Sequence, residues 1–148
     1  MFTLLLDRVG EIVDEPTDIN EKLLSICRLL KNNVPHYNWV GFYLVYQPGE
    51  LALGPFIGEL TEHTRIPFGK GICGQAAEKG VTFIIQDVSK EVNYLSCSPK
   101  VQSEIVVPIF KNREIVGELD IDSHNLSSFT EEDVKFLENV CRVVSRLF

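Results

Sequence analysis

Two strand–turn–strand units restrict what this chain can fold into more than any other feature. The first is WVGFYLVY, the turn Gln47-Pro48-Gly49-Glu50, and LALGPFI; the second is EIVVPIF, the turn KNRE, and IVGELDID. Runs of β-branched, aromatic and aliphatic residues broken by tight-turn residues pair back on themselves as hairpins. Two such hairpins build a mainly antiparallel sheet. Helical segments before, between and after them have to cover it, so the expected fold class is α+β. A third strand, VTFIIQD, precedes the second hairpin. Because FIIQ and EIVVPIF carry apolar residues at both parities, much of the sheet is expected to be covered on both faces.

The flanking segments read as helices. TLLLDRVGEIVDE has helical spacing that Gly10 weakens. Asp18 and Glu21 resemble a capping box ahead of Ile19, Leu23, Ile26, Cys27 and Leu30, and Asn32, Asn33 and Pro35 stop that helix. A short helix over GQAAEKG begins near Cys73 and ends at Gly80. The last helix starts at Thr130, where Asp133 completes a second capping box, and Val134, Leu137, Val140, Cys141, Val144 and Leu147 form its apolar stripe. The stretches Gly58–Gly71 and Val88–Gln102 show no period. The second is far longer than the usual connection of about four to six residues, as loops that are either functional or disordered are.

Length and charge narrow the function classes. The 148 residues (16.7 kDa) suit one domain spanning 1–148. Lys and Arg number 14 against 21 Asp and Glu, a net charge of −7 with a pI near 4.9. Nucleic acids and anionic membrane surfaces are poor partners for such a chain, which has no cluster of cations to neutralise phosphates. No apolar run approaches the roughly 20 residues that span a bilayer. MFTLLLDRVG has neither a basic leader nor a small-residue cleavage site, so no signal peptide is read and a cytoplasmic location is expected.

The four cysteines, at 27, 73, 97 and 141, are spaced too widely for a zinc finger, and no metal or other cofactor is expected. Cys27 and Cys141 sit within helical apolar stripes and read as small buried hydrophobes. Cys73 lies between glycines in FGKGICGQAA at a helix start, where the helix dipole and nearby Lys70 favour a thiolate; a small residue filling a tight turn is the plain alternative. Cys97, in NYLSCSPK, lies in the long loop, either reactive or idle at the surface. Alternation in GELDIDS puts Glu118, Asp120 and Asp122 on one strand face, with Glu104 opening the preceding strand. Such carboxyls could bind an ammonium group or hold a proton, although a solvated polar face is the commoner meaning. Trp39 and Tyr43 share a strand face with Gly41 between them, a slot for a small apolar group or ordinary core packing. His36, His63 and His124 have no Ser or Cys at a recognisable spacing, and GKGICG matches no phosphate-binding loop.

Taken together, NWVGFYL, LALGPFIGEL, RIPFGKGICGQAA, CSPKVQSE followed by IVVPIF, and GELDIDS resemble the free methionine-(R)-sulfoxide reductase family of GAF domains, over roughly residues 18–148. The resemblance implies a GAF domain, an antiparallel sheet with helices on its faces, closed over a small pocket. It implies reduction of the R-epimer of free methionine sulfoxide, with thioredoxin or a similar dithiol as reductant, and a homodimer. By motif, Cys97 matches the cysteine that attacks the sulfoxide and becomes a sulfenic acid, and Cys73 a second cysteine that forms a disulfide with it. Glu104, Asp120 and Asp122 match the pocket carboxylates; Trp39 and Tyr43 match the aromatic residues that hold the substrate methyl. The substrate's chemistry agrees: acids suit its ammonium and can protonate the departing oxygen, and an aromatic slot suits its methyl.

Three positions depart from the family pattern. Glu62-His63-Thr64 stands where a third cysteine commonly precedes RIP, which leaves Cys73 as the sole partner for Cys97. Ser98 stands where an acid often follows the attacking cysteine, and Glu118 is an acid where an apolar residue is usual. The competing readings are a ligand-binding GAF module without chemistry and a thiol-based redox sensor, since a fold does not settle function.

Overall fold

Both hairpins form, and the helices cover the sheet they build. A computed structural model describes residues 1–96 and 98–148, so the cysteine at position 97 lies outside the described residues. The elements run α1 (Phe2–Asp14), α2 (Ile19–Asn33), β1 (Trp39–Gln47), β2 (Glu50–Ile57), β3 (Arg65–Pro67), α3 (Gly71–Lys79), β4 (Phe83–Ile85), β5 (Ser103–Lys111), β6 (Glu114–Ser123) and α4 (Glu131–Val144). The strands make one sheet in the order β3-β2-β1-β6-β5-β4, antiparallel at every junction. The two hairpins therefore join through β1 and β6, which places GELDIDS at the centre of the sheet.

Turn chemistry sets the second hairpin. Asn112 and Arg113 both have positive φ, 52° and 68°, as the two central residues of a type I′ turn require, and Lys111 pairs with Glu114. Two details differ from the sequence expectation. Arg65–Pro67, inside the stretch read as irregular, is an edge strand too short to show a period. The third strand shrinks from VTFIIQD to three residues, and Val88–Lys90 forms a 3₁₀ turn within the long connection. Gly10 does not interrupt α1, which buries Leu5, Val9, Ile12 and Val13 on one side.

Side chains alternate between two unlike faces. On one, Val40, Phe42, Ile105, Val107, Ile109, Leu119 and Ile121 pack against α1, α2 and α4 through Leu23, Ile26, Leu30, Phe136, Leu137 and Val140. Each such aliphatic side chain contributes about 1.5–3 kcal/mol when fully buried. Cys27 and Cys141 belong to this core, as expected. Their thiols donate to the carbonyls of Pro55 and Val107, and burial pushes both well above the ordinary thiol range. The other face carries a smaller cluster of Trp39, Tyr43, Leu51, Ile66 and Val106 under Ile72, Cys73, Ala76 and Ala77 of α3.

Both helix starts are capped, but only α4 carries the full reciprocal box; at α2 the Asp18 side chain caps alone. Asp18 accepts from the Glu21 amide at 2.8 Å, and Thr130 and Asp133 exchange side-chain-to-backbone bonds at the start of α4. Asp133 also accepts from Tyr37 Oη at 2.7 Å and His36 Nε2 at 2.9 Å, tying the α2–β1 connection to α4. Burial would raise its carboxyl, but the bonds from Tyr37, Thr130 and His36 together hold it below the ordinary range. A carboxyl depressed in the folded state stabilises above its unfolded value, and that contribution fades as the pH falls through the folded one. Asp133→Ala keeps the Thr130 cap but removes the reciprocal half of the box, leaves the Thr130 amide without its acceptor and strands the buried Tyr37 hydroxyl, a cost of about 2–4 kcal/mol. Thermal melts near neutral pH should show a Tm lower by roughly 5–15 °C. The gap should close in acid, where the native carboxyl is itself protonated; a Tm unchanged at neutral pH would contradict this role.

Candidate active site

The register of the three central strands assembles the site. Trp39, Asp122 and Glu104 lie abreast across β1, β6 and β5; Gly41, Asp120 and Val106 form the next row; Tyr43, Glu118 and Pro108 the third. Every acid singled out in the sequence thus faces α3, together with both aromatic residues. The solvated polar face is overturned. Glu104 is 6% exposed, Glu118 0%, Asp120 2% and Asp122 3%, because α3 and the connections around it roof this side of the sheet. Periodicity assigns residues to a face and does not say what covers it.

Buried carboxyls crowded together resist ionisation. Burial raises Asp120; burial and then the Asp120 charge raise both Glu118 and Asp122. Glu104 hydrogen-bonds to Asp120 and Asp122, so protons are shared within the group. Even so, both oxygens of Glu118, Oδ1 of Asp120 and Oδ1 of Asp122 have no hydrogen-bond partner among the described residues. Unsatisfied buried acceptors are costly and suit a cationic guest.

Cys73 closes this group from above. Its Sγ donates to Asp120 Oδ2 at 3.3 Å, and the side chain is 5% exposed. The thiolate expected from the helix start is not favoured. Burial first, then the charges of Asp120, Glu118 and Glu104, push the thiol well above its ordinary value. Cys73 sits within the first turn of α3, but its sulfur is buried and meets carboxyls, and both disfavour the thiolate. Cys73, Glu104 and Asp120 each bring a donor atom within 4.8 Å of the others, a set able to hold a cation.

The aromatic pair lies at the edge of the acids. Trp39 stacks on Phe56 with ring centroids 5.4 Å apart and on Tyr43 at 6.5 Å, and its Nε1 donates to the Glu59 carbonyl at 2.9 Å. The gap expected at Gly41 is filled by the indole itself, since a Cβ there would lie 2.4 Å from Trp39 Cη2. Gly58, at φ +140°, gives way to the same ring from the other side. Tyr43 is buried and its hydroxyl donates to the His63 carbonyl at 2.9 Å.

Two narrow clefts open here. One, about 260 Å³ with its mouth, is lined by Tyr43, His63, Ile66, Gly71, Ile72, Cys73, Leu95, Glu104 and Asp120. The other, about 310 Å³, lies beside Trp39, Asp122, Glu59 and Ser98. Wider hollows elsewhere, such as the notch between α4 and the far end of β5, gather no comparable set of acids.

The long connection is well anchored where it is described. Asn93 accepts from the Gly71 amide and donates to the Gly69 carbonyl, and Gln75 donates to the Asn93 carbonyl. His63 Nε2 donates to the Ser96 carbonyl at 2.9 Å, and Lys100 pairs with Glu59 at 3.1 Å. Ser98, one of the departures from pattern, is buried and accepts from the Lys100 amide, which fixes the turn after position 97. His63 is the site residue that sequence reasoning passed over; a single loop histidine has no periodic signal.

The buried Glu118 carries a testable cost. Its folded carboxyl keeps a proton that the unfolded chain gives up in the ordinary carboxylate range, so stability falls as the pH rises above that range. Glu118→Leu should raise stability in mildly alkaline buffer by about 1–3 kcal/mol and flatten the decline seen in pH-dependent denaturation. An unchanged pH slope would contradict the assignment.

The family model described as GAF domain matches residues 16–148. The free methionine-R-sulfoxide reductase of Escherichia coli is 37% identical over 118 residues, covering 80% of this chain and 70% of that protein. Among solved structures, the Neisseria meningitidis free methionine-R-sulfoxide reductase in complex with its substrate superposes with a TM-score of 0.93 at 38% identity, covering 99% of this chain and 87% of that one. The reduced Staphylococcus aureus protein gives 0.91 at 36% identity, with 99% and 94% covered.

Proposed function

The chain belongs to the free methionine-R-sulfoxide reductase family of GAF domains, and from that premise we propose that it reduces free L-methionine-R-sulfoxide to methionine by thiol chemistry. The observation that carries this reading is the convergence of Cys73, four buried carboxyls, Trp39 and Tyr43 on one roofed sheet face. The substrate ammonium suits Glu104, Asp120 and Asp122, whose oxygens lie in a dry, electron-rich setting. The methyl group suits the rim of Trp39 and Tyr43.

In this account the Cys97 thiolate attacks the sulfoxide sulfur. A protonated carboxyl of the Glu104–Asp120–Asp122 group gives its proton to the departing oxygen. The oxygen passes from the substrate sulfur to the Cys97 sulfur as the bond between the two sulfurs breaks; Cys97 thereby loses two electrons and becomes a sulfenic acid, and methionine is released. The Cys73 thiol then passes its proton to Asp120 and attacks the Cys97 sulfur. The hydroxyl leaves as water and a disulfide remains, which thioredoxin or a similar dithiol reduces in a thiol-reducing cytoplasm. The single domain over 1–148 would act as a homodimer, as the family resemblance implies. No described helix is long and apolar enough to cross a membrane.

A coupled assay tests the reading. With thioredoxin, its reductase and NADPH, free methionine-R-sulfoxide should be consumed while peptide-bound sulfoxide is spared. Peroxide oxidation of the two thiols without sulfoxide turnover would instead support a sensor, and absence of turnover with every dithiol would end the proposal.

A further inference from the structure

The substrate of the proposed reaction is a zwitterion, and the site described so far accounts for only one of its charges. The acids answer the ammonium. Among the described residues lining the Cys73 cleft, the side chains are aromatic, aliphatic, thiol or carboxyl, with one exception. His63 alone can carry positive charge. Lys100 pairs with Glu59, Arg65 lies over the Tyr46 ring and pairs with Glu50, and Lys70, although it precedes Gly71, is exposed and does not line the cleft. We propose that His63 receives the α-carboxylate of the substrate and so determines specificity for the free amino acid; this rests on the reductase reading above.

The geometry prepares the ring for that role. A carbonyl oxygen can only accept, so the 2.9 Å contact with Ser96 makes Nε2 the donor. Nδ1 then supplies its own N–H in the imidazolium form, which a carboxylate favours. The loop is held from below as well, because the His63 carbonyl accepts from Tyr43 Oη and its amide donates to Thr61 Oγ1 at 3.1 Å. Cys73, Glu104 and Asp120 line the same cleft as His63, and Glu62 is its neighbour in the loop. An acid-lined cleft would repel a carboxylate; one cation at its wall sorts the two ends of the zwitterion. A peptide-bound residue has no free carboxylate to offer.

The test compares free methionine-R-sulfoxide with the R-enantiomer of 3-(methylsulfinyl)propylamine, which keeps the ammonium, sulfoxide and methyl but lacks the carboxylate. His63→Gln keeps a donor for Ser96 and removes the charge; His63→Ala removes both, and His63→Arg restores a cation. In His63→Gln and His63→Ala, kcat/KM for the amino acid should fall on the order of 10- to 100-fold, mostly through KM, and far less for the amine. His63→Arg should recover much of the preference. A preference that survives both neutral substitutions, or an equal loss on both substrates, overturns the assignment while leaving the reductase reading intact. Wild-type protein that reduces neither compound overturns the reductase reading and this assignment with it.

Discussion

Cys97→Ser should abolish methionine sulfoxide reduction, lowering turnover roughly 10³-fold or more, to the detection limit. Reduction of a sulfoxide needs a two-electron donor that can accept oxygen, and a serine hydroxyl is neither. The other thiols cannot take over. Cys27 and Cys141 lie on the helix-packed side of the sheet, bonded to the Pro55 and Val107 carbonyls. Cys73 does line the cleft, but burial and the surrounding carboxyls hold it as a thiol, a poor first nucleophile. Chromatographic assay of methionine released by the reduced variant should therefore show none. One equivalent per chain would mean that Cys73 makes the first attack.

Cys73→Ser should divide the cycle in two. Serine keeps a hydroxyl donor for Asp120 Oδ2, so the fold and the carboxyl group should be preserved. The first turnover on reduced protein should survive at close to its normal extent. Thioredoxin-coupled turnover should fall on the order of 10²-fold, because the Cys97 sulfenic acid has no neighbouring thiol with which to condense. A small dithiol added in excess should restore part of the rate by attacking the sulfenic acid directly. The effect is larger than in a chain with a spare cysteine, since Glu62-His63-Thr64 stands where the family resemblance implies one. Full thioredoxin-coupled activity in Cys73→Ser would show that Cys97 is recycled without an intramolecular partner.

How much of this was legible in the sequence depended on the kind of signal. The hairpins were readable because their turns are chemically distinct, and the helix starts because Asp18, Thr130 and Asp133 do local work that needs no tertiary partner. The alternation of Glu118, Asp120 and Asp122 gave their shared face but not its burial. What covers them is α3, nine residues long, together with connections whose fixed points are single bonds from Asn93, Gln75 and His63. Such anchors join residues distant in sequence and leave no period. The same limit explains Trp39 and Gly41: a small residue between two rings reads as a slot, whereas the indole folds back over the glycine and occupies it. The electrostatics of Cys73 reversed for a related reason. Its helix position is local and readable, but its burial and the three carboxyls acting on it, Asp120, Glu118 and Glu104, come from the assembled β5 and β6.

The central claim is that one chain reduces one sulfoxide and stores the oxidising equivalent as a Cys73–Cys97 bond. Fully reduced protein mixed with one equivalent of free methionine-R-sulfoxide, with no reductant present, tests it in a single measurement: quantify the methionine formed and map the disulfides in the quenched protein by mass spectrometry. The account predicts close to one methionine per chain and peptides containing Cys73 and Cys97 joined to each other. No methionine, or methionine formed with Cys73 still free, would contradict it.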